Sequence, residues 1–231
     1  MTKETSTKIQ CLGFIMDGNR RWAKENNLPT LEGHRRGMEV FFDSVDWVRD
    51  AGIPHAVYYA FSTENWQRKQ EEVSYLMDLF REVLSRMDEE LYKRNVRVRI
   101  IGRRMDFPDD IKNQIEEVEK KSLENKNAKT TIWVALSYGG RAEIMEAVNK
   151  AVERGVAITE VEFSDLLWTA QLPDADMIVR TSGEQRLSNF ITWRSVYSEL
   201  LFLDKHWPAL TKTDFENILE EYQKRNRRIG A

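Results

Sequence analysis

The chain has 231 residues, with 35 lysines and arginines against 38 aspartates and glutamates, and a formal net charge of −3. This balance argues against a broadly basic nucleic-acid-binding surface. The single cysteine, Cys11, excludes an intrachain disulfide and a cysteine-rich zinc site, and is typical of a reducing compartment.

Apolar runs in the chain are short. The longest, such as Ile132–Leu136, fall far below the roughly 20 residues that a membrane-spanning helix needs. The polar start Met1–Gln10 lacks the apolar region of a signal peptide. We therefore expect a cytoplasmic protein with at most transient peripheral membrane contact.

Short segments rich in β-branched and aromatic residues recur along the chain and predict buried strands. In chain order they are Leu12–Met16, Ala56–Phe61, Val96–Ile101, Thr131–Leu136, Met177–Val179 and Leu200–Leu203. Such strands alternating with helices predict the α/β class: a central six-stranded, mainly parallel sheet flanked by helices. We expect residues 1–231 to form a single domain with its core at about 12–230.

Helical apolar spacing fills the intervals between the strands. The polar stretch Glu116–Lys129 is expected to be a solvated helix and loop, and the last helix is expected to begin with a capping box of Thr213 and Glu216. The apolar stripes are Met38, Phe41, Phe42, Val45 and Val48; Val73, Leu76, Phe80, Val83, Leu84, Met87 and Leu91; Ile144, Met145, Val148 and Val152; and Phe215, Ile218, Leu219 and Tyr222.

The segment Asp17–Trp22 follows the first predicted strand and leads into a polar helix. Ligands of parallel sheets bind at the carboxyl ends of the strands. Free backbone N–H groups, a glycine and two arginines there suit a diphosphate, and Asp17 suits a Mg²⁺ ion that bridges to phosphate. The alternative, a helix N-cap with surface arginines, is about as compatible with the spacing alone.

Three further polar segments follow predicted strands. Ser62–Arg68 follows the second strand but is a weak signal, since Ser, Thr and Asn commonly cap helices. Ser137–Arg141 follows the fourth and contains two glycines. Arg180–Ser188 follows the fifth and holds two arginines and two serines, the strongest local anion site in the sequence. Glu199, before the sixth strand, is a second candidate metal ligand.

Other site types lack their signatures. The chain has neither a Gly-x-Gly-x-x-Gly segment after a strand nor a Gly-Lys-Ser/Thr phosphate loop. Among the histidines, His34 is a candidate for proton transfer or phosphate contact, whereas His55 and His206 are expected to serve packing or surface roles.

Taken together, these segments resemble the cis-prenyltransferase family, whose bacterial type is undecaprenyl diphosphate synthase, an isoprenyl transferase. The resemblance runs from about residue 12 to residue 230. It is carried by Met16–Ala23, Gly33–His34, Tyr59–Trp66, Tyr138–Arg141, Arg180–Glu184, Arg186–Phe190 and Tyr197–Leu200. It implies a homodimer that condenses isopentenyl diphosphate onto an allylic diphosphate, such as farnesyl diphosphate, with Mg²⁺ as cofactor.

The resemblance also implies roles for individual residues. Asp17 binds Mg²⁺ and promotes departure of the allylic diphosphate, with Glu199 contributing to the metal site. Asn65 assists proton removal, although a neutral amide is a poor base and a substrate phosphate oxygen competes for that role. The allylic diphosphate is held by Gly18, Asn19, Arg20, Arg21 and His34. The isopentenyl diphosphate is held by Arg68, Arg180, Arg186 and Ser188.

Further substrate contacts implied by the resemblance are Trp22, Ser62, Thr63, Glu64, Trp66 and Leu187. The tail Arg228–Gly230 resembles a family motif that reaches the partner's active site. Thr30 departs from the family, which usually has an arginine there.

The sequence also gives expectations about product length and about catalytic activity. The helix over residues 73–91 is a candidate lining for an apolar sleeve around the growing chain, with ordinary core packing as the compatible alternative, and small Ala60 is expected to leave the mouth of that sleeve open. This favours a medium- to long-chain product. The competing class is a non-catalytic accessory relative that binds a catalytic partner; a phosphohydrolase is a third option.

Overall fold

A computed structural model describes residues 8–225, apart from the side chains of residues 88, 89, 91 and 92. The strands are β1 (Cys11–Ile15), β2 (His55–Tyr59), β3 (Val96–Ile101), β4 (Thr130–Ala135), β5 (Met177–Thr181) and β6 (Glu199–Leu203). The helices are α1 (Asn19–Glu25), α2 (Thr30–Asp50), α3 (Gln70–Lys93), α4 (Asp109–Glu124), α5 (Gly140–Arg154), α6 (Glu160–Ser164) and α7 (Lys212–Gln223). The tail Arg228–Gly230 lies outside the described residues.

The six strands form one sheet in the order β3-β4-β2-β1-β5-β6, and each neighbouring pair is parallel. The predicted α/β class and six-stranded sheet are confirmed. β2 pairs with one side of β1, and β5 pairs with the other side. Ligand crevices of such sheets lie where the winding direction changes, which here is the carboxyl end of β1 and β5.

Apolar side chains cover both faces of the sheet. The larger cluster contains the inward sides of α2, α3, α4 and α7, with Phe14 stacked on Tyr58 at a ring-centroid distance of 5.1 Å. The smaller cluster, on the other face, includes Trp133, Tyr138, Leu172 and Phe190. The strands are buried on both sides, which explains why they form nearly continuous apolar runs.

The predicted start of the last helix was wrong in detail. α7 begins two residues earlier than expected, because the Thr211 hydroxyl accepts the Asp214 N–H at 3.3 Å and the Asp214 carboxylate accepts the Thr211 N–H at 2.8 Å. The capping box is thus Thr211 with Asp214 instead of Thr213 with Glu216.

The stretch 116–129 is less solvated than expected. Glu119 is buried and accepts the backbone N–H of Ile100 at 2.7 Å, and the Ser122 hydroxyl accepts that of Val98 at 3.1 Å. β3 is an edge strand with one unpaired side, so α4 supplies the acceptors that a neighbouring strand would have supplied.

The stripe on α5 is not part of the core. Met145, Val148 and Val152 are 56%, 36% and 72% exposed, and the buried side of α5 consists of Gly140, Glu143 and Ala147. α5 therefore presents an apolar face outward in the single chain.

Candidate active site

The carboxyl ends of β1, β2 and β5 open into a cavity of about 790 Å³. Polar side chains dominate its wall. Of the predicted site residues, the wall contains Asp17, Gly18, Asn19, Arg20, Arg21, His34, Ser62, Glu64, Asn65, Arg68, Arg180, Arg186 and Ser188. Segments as far apart in the sequence as Asp17 and Ser188 are thus brought together at one edge of the sheet.

Asp17 lies at the centre of this wall, two residues beyond β1. One carboxylate oxygen accepts the Gly18 N–H at 2.7 Å and the other accepts a guanidinium N–H of Arg180 at 2.8 Å. Burial by itself raises the pKa of Asp17, but the Arg180 bond and charge, the Gly18 N–H and Arg21 outweigh it, so the pKa lies below its usual value. Asp17 is a carboxylate at neutral pH.

Arg180 is the most buried cation in the cavity, at 5% exposure. It is the fourth residue of β5, which extends to Thr181 and so past the predicted end at Val179. Besides Asp17, its guanidinium donates to the Ser188 hydroxyl at 2.7 Å and to the backbone carbonyl of Arg186. The buried charge is therefore compensated and fixed in orientation.

Two glutamates each connect a pair of arginines. Glu184 contacts Arg21 at 3.0 Å and also pairs with Arg186. Glu72 contacts Arg68 at 2.9 Å and Arg20 at 3.6 Å. Each glutamate joins one arginine of α1 to one arginine from across the cavity.

The turn after β2 is fixed by its own side chains. Ser62 and Asn65 form a capping box at the 3-10 turn Thr63–Gln67, in which the side-chain amide oxygen of Asn65 accepts the Ser62 N–H at 3.1 Å. That oxygen is thereby engaged, which leaves the amide NH₂ to donate toward a ligand.

His34 enters the cavity from α2. Its Nε2 is buried and has no hydrogen-bond partner among residues 8–225. Burial, followed by the nearby charges of Arg68 and Arg20 and opposed by Glu72, lowers the pKa of His34 to about 4. The ring is therefore neutral at pH 7, and its Nε2 is unpaired within the described part of the chain.

A narrow apolar cavity of about 110 Å³ adjoins the polar one, and both share Met16, His34, Ala60 and Leu76. The predicted stripe on α3 forms one wall. That wall consists of Leu76, Leu79, Phe80, Val83, Leu84 and Met87. The rest of the lining includes Met38 and Phe41 from α2, and Ile100, Val134 and Leu136 from the sheet and the residue after β4.

Several predicted site residues do not line the polar cavity. The Trp66 indole donates to the Ser137 hydroxyl at 2.8 Å and packs on Phe61 at 5.0 Å. Leu187 packs against the smaller apolar cluster, and Thr63 donates to Glu64 at 3.2 Å. Trp22 is half-buried beside the cavity without lining it.

Glu199 is not next to Asp17 within this chain. It is the first residue of β6 and pairs in register with Met177, the first residue of β5, so it lies at the amino edge of the sheet. Its carboxylate bonds to Arg225 at 2.7 Å. The described residues contain no cluster of three metal-ligating side chains. The metal pair expected from the resemblance is therefore not formed inside the described part of a single chain.

Sequence reasoning missed four residues that shape the cavity. Tyr59, Glu184 and Asn189 line it, and Glu72 pairs with two of its arginines. Asn189 donates to Glu64 at 3.0 Å and accepts the Arg141 N–H at 2.8 Å, which ties the β2 turn to α5. Tyr59, Glu184 and Asn189 lie in segments that carry the family resemblance, whereas Glu72 had no signal in the sequence.

Comparisons with known proteins agree on one family. A family model described as undecaprenyl diphosphate synthase matches residues 15–230. An isoprenyl transferase of Thermotoga maritima is 46% identical over 96% of this chain and 97% of its own length. A ditrans,polycis-undecaprenyl-diphosphate synthase of Micrococcus luteus, (2E,6E)-farnesyl-diphosphate specific, is 40% identical over 95% of this chain and 90% of its own length.

Solved structures are similar over nearly the whole chain as well. Lavandulyl diphosphate synthase from Lavandula x intermedia, in complex with dimethylallyl diphosphate, superposes with a TM-score of 0.91 at 29% identity, covering 97% of this chain and 99% of that one. A probable undecaprenyl diphosphate synthase from Campylobacter jejuni gives a TM-score of 0.82 at 29% identity, covering 96% and 99%.

Proposed function

This chain belongs to the undecaprenyl diphosphate synthase family of prenyl transferases, and from that membership we propose that it condenses isopentenyl diphosphate with an allylic diphosphate, using Mg²⁺. One observation carries the proposal. Two groups of arginines, one on α1 and one that follows β2 and lies on and after β5, line a single cavity that continues into an apolar one. A reaction that joins two diphosphate esters and extends a hydrocarbon needs this combination of surfaces.

The first group suits the allylic diphosphate. Arg20 and Arg21 belong to α1, and the Gly18–Asn19 backbone lies beside them in the cavity wall. Arginine presents several N–H donors in a planar fork that matches phosphate oxygens. Neutral His34, whose Nε2 is unpaired among the described residues, adds one more contact on the side where the apolar cavity begins.

The second group suits isopentenyl diphosphate. Arg180, Arg186 and Ser188 lie on and after β5, and Arg68 faces them from the β2 side. Arg180 already donates to Ser188, so this part of the wall is ordered before a substrate binds. Preordered donors add affinity because less side-chain freedom is lost on binding.

Asp17 fits a magnesium site that is completed by substrate. Mg²⁺ is usually held by one or two carboxylates together with phosphate oxygens. Asp17 is ionised, lies between the two arginine groups and lines the cavity. Bound there, Mg²⁺ would neutralise charge that develops on the leaving diphosphate.

The chain's own residues serve each change in bonding. The allylic carbon–oxygen bond breaks and its electron pair leaves with the diphosphate, which Arg20 and Arg21 stabilise as negative charge develops. A new carbon–carbon bond forms to the terminal alkene carbon of isopentenyl diphosphate, and a proton then leaves the neighbouring methylene. Asn65 is suited to orient the second substrate through its NH₂ group, and a substrate phosphate oxygen remains the better proton acceptor.

The apolar cavity offers a place for the growing hydrocarbon, and the small Ala60 at its mouth is the basis on which we propose a medium- to long-chain product. It runs from Ala60 at the polar cavity past Phe80 to Met87 on α3, and all of its α3 side chains are apolar. A hydrocarbon chain gains free energy from each methylene buried in such a lining. Cis-configured products such as undecaprenyl diphosphate are the proposed class.

The outward face of α5 supports a homodimer. Met145, Val148 and Val152 share this face, and α5 contacts both α6, which exposes Val161, and the 3-10 turn Thr192–Ser195, which is followed by exposed Val196. Exposed apolar side chains on neighbouring elements are typical of protein interfaces. A second copy is the proposed occupant, because a two-fold pairing would bury the same face on both chains.

None of the helices in the described residues is long and apolar enough to cross a membrane. We propose that the enzyme works in the cytoplasm and touches the membrane transiently as the apolar product leaves. A single buried thiol, Cys11, suits that reducing compartment.

The direct test is turnover. Purified protein is incubated with Mg²⁺, labelled isopentenyl diphosphate and farnesyl diphosphate, and the extracted lipids are separated by length. We expect a ladder of products that chelation of Mg²⁺ abolishes and that Asp17→Asn reduces by about 100-fold or more, the scale of losing a transition-state charge contact. Absence of product with primers of all lengths would favour the accessory, non-catalytic class instead.

A further inference from the structure

Three polar side chains form a hydrogen-bonded relay behind the cavity wall: Ser182, His206 and Glu25. The Ser182 hydroxyl lies 2.6 Å from Nδ1 of His206, and Nε2 of His206 lies 2.9 Å from the Glu25 carboxylate. Ser182 follows β5, His206 follows β6 and Glu25 is the last residue of α1. The relay thus joins α1 to the strand ends that carry the second arginine group.

The relay packs directly against Gly18. A Cβ atom at Gly18 would lie 2.6 Å from the Ser182 hydroxyl and 2.7 Å from Nδ1 of His206, so a side chain there has no room. Gly18 also has φ = +103°, a conformation that residues with side chains rarely adopt. The close packing of Ser182 and His206 against Gly18 therefore requires a residue without a side chain at this turn.

Neighbours of the relay hold the same stretch of backbone. The Trp207 N–H donates to the Asp17 carbonyl at 3.0 Å, and the Thr181 hydroxyl donates to that carbonyl at 2.7 Å. The Ser182 carbonyl accepts from the Arg21 guanidinium at 3.0 Å. A shift of Ser182 would consequently move both the Gly18 backbone and Arg21.

Glu25 fixes which nitrogen of His206 carries the proton when the ring is neutral. An ionised carboxylate only accepts, so Nε2 carries the hydrogen that bonds to Glu25. Nδ1 is then an acceptor and takes the hydroxyl proton of Ser182. Ser182 is 5% exposed and has φ = +82°, so this bond also stabilises an unfavourable backbone conformation.

We propose that His206 is a positioning residue that, through Ser182 and with its orientation set by Glu25, fixes the segment Gly18–Arg21 and thereby sets the affinity for the allylic diphosphate. This inference rests on the proposed function. His206 does not line the cavity and contacts no substrate in this scheme. We expect its main effect on one of the two substrates, because Ser182 packs on Gly18 and its carbonyl accepts from Arg21, whereas no hydrogen bond among residues 8–225 joins the relay side chains to Arg68, Arg186 or Ser188.

The test compares three substitutions in steady-state kinetics. His206→Ala removes both bonds, His206→Asn can keep the bond to Ser182, and His206→Gln can keep the bond to Glu25. We expect His206→Ala to raise KM for farnesyl diphosphate about tenfold, the scale of one lost hydrogen bond to a preordered group. KM for isopentenyl diphosphate and kcat should change less than about twofold.

The pattern of rescue separates this role from a general loss of structure. Because Ser182 is the member that touches Gly18, Asn should restore most of the KM for farnesyl diphosphate and Gln should restore little. His55→Ala, at the amino edge of the sheet, serves as the control and should leave both KM values unchanged. Melting temperatures of all variants are measured alongside.

Two results would overturn the inference while leaving the proposed function intact: an unchanged KM for farnesyl diphosphate in His206→Ala, or equal losses for both substrates that follow the melting temperature. Failure of the function itself looks different. In that case the unsubstituted protein makes no product, and it also fails to bind a non-ionising farnesyl thiodiphosphate in calorimetry.

Discussion

At the scale of single residues, every arginine that lines the polar cavity faces a carboxylate of the same chain. The pairs are Arg20 and Arg68 with Glu72, Arg21 and Arg186 with Glu184, and Arg180 with Asp17. These pairs hold the guanidinium groups in place before a substrate arrives. Those with exposed partners are individually weak, so a diphosphate with several charges can displace the glutamates.

His34 gives a prediction about stability and pH. Its pKa of about 4 in the folded protein lies below the ordinary histidine value of 6.5. Between these two values the unfolded chain binds more protons than the folded one, so the free energy of unfolding falls as the pH drops from 6.5 toward 4. Fully developed, the loss from this residue is about 3 kcal/mol.

Urea unfolding at pH 7.5 and at pH 4.5 checks this. His34→Gln should lose clearly less stability between the two pH values than the unsubstituted protein, whatever its stability at pH 7.5. Asp17 does not interfere, because its pKa is lowered in the folded protein, so its contribution to stability is present above the unfolded value of 3.8 and is lost mainly as the pH falls below that value. Identical pH slopes for both proteins would show that His34 is not held neutral by burial.

At the scale of elements, α3 has two roles that the sequence pattern alone does not separate. Its inward side chains belong to the main apolar cluster and also line the narrow cavity. Ala60, at the end of β2, lies where the polar and apolar cavities meet. A larger side chain there narrows the path into the apolar cavity without touching the arginines.

Ala60→Leu should therefore shorten the product. The first condensation should proceed at a rate within about threefold of normal, because both arginine groups are unchanged, while longer products disappear from the ladder. Chain-length analysis of the extracted lipids measures both quantities in one experiment. An unchanged ladder would show that the growing chain does not pass Ala60.

The exposed face of α5 gives a prediction about assembly. Val152→Glu places a charge on the proposed interface and should convert a dimer to a monomer at micromolar concentration, since burying an unpaired charge is costly. Light scattering after size-exclusion chromatography gives the mass directly. Met105→Glu is the matched control, because Met105 is 80% exposed on the 3-10 turn Arg104–Asp106, after β3.

A monomeric unsubstituted protein would contradict the proposed dimer, and so would a Val152→Glu variant that stays dimeric. The oligomeric state also matters for Glu199, because this residue lies away from Asp17 within a single chain and pairs there with Arg225.

At the scale of the whole molecule, the sheet and the site edge were predictable because parallel strands are buried on both faces and place their following loops at one edge. Strand order and register were not. Glu199 is predicted to contribute to the metal site with Asp17, and the register pairing of Met177 with Glu199 places it at the opposite edge of the sheet within the single chain. Likewise, whether an apolar stripe faces the core depends on the neighbouring helices, which is why the α5 stripe was not recognised as exposed.

Hydrogen bonds and ion pairs of side chains were the features that the sequence predicted least well. Glu72 joins Arg20 to Arg68 across 48 positions of sequence, and Glu119 and Ser122 complete the edge strand β3. Such contacts depend on helix orientation, and local spacing does not report it.

The central claim is that one cavity holds two diphosphates on two separate arginine groups. The most direct measurement is the pair of KM values in Arg21→Ala and in Arg186→Ala, with labelled isopentenyl diphosphate and farnesyl diphosphate each varied in turn. The account predicts that Arg21→Ala raises KM mainly for farnesyl diphosphate and Arg186→Ala mainly for isopentenyl diphosphate, each by about tenfold or more, as for a lost charged hydrogen bond. Equal effects of both substitutions on both substrates would contradict it.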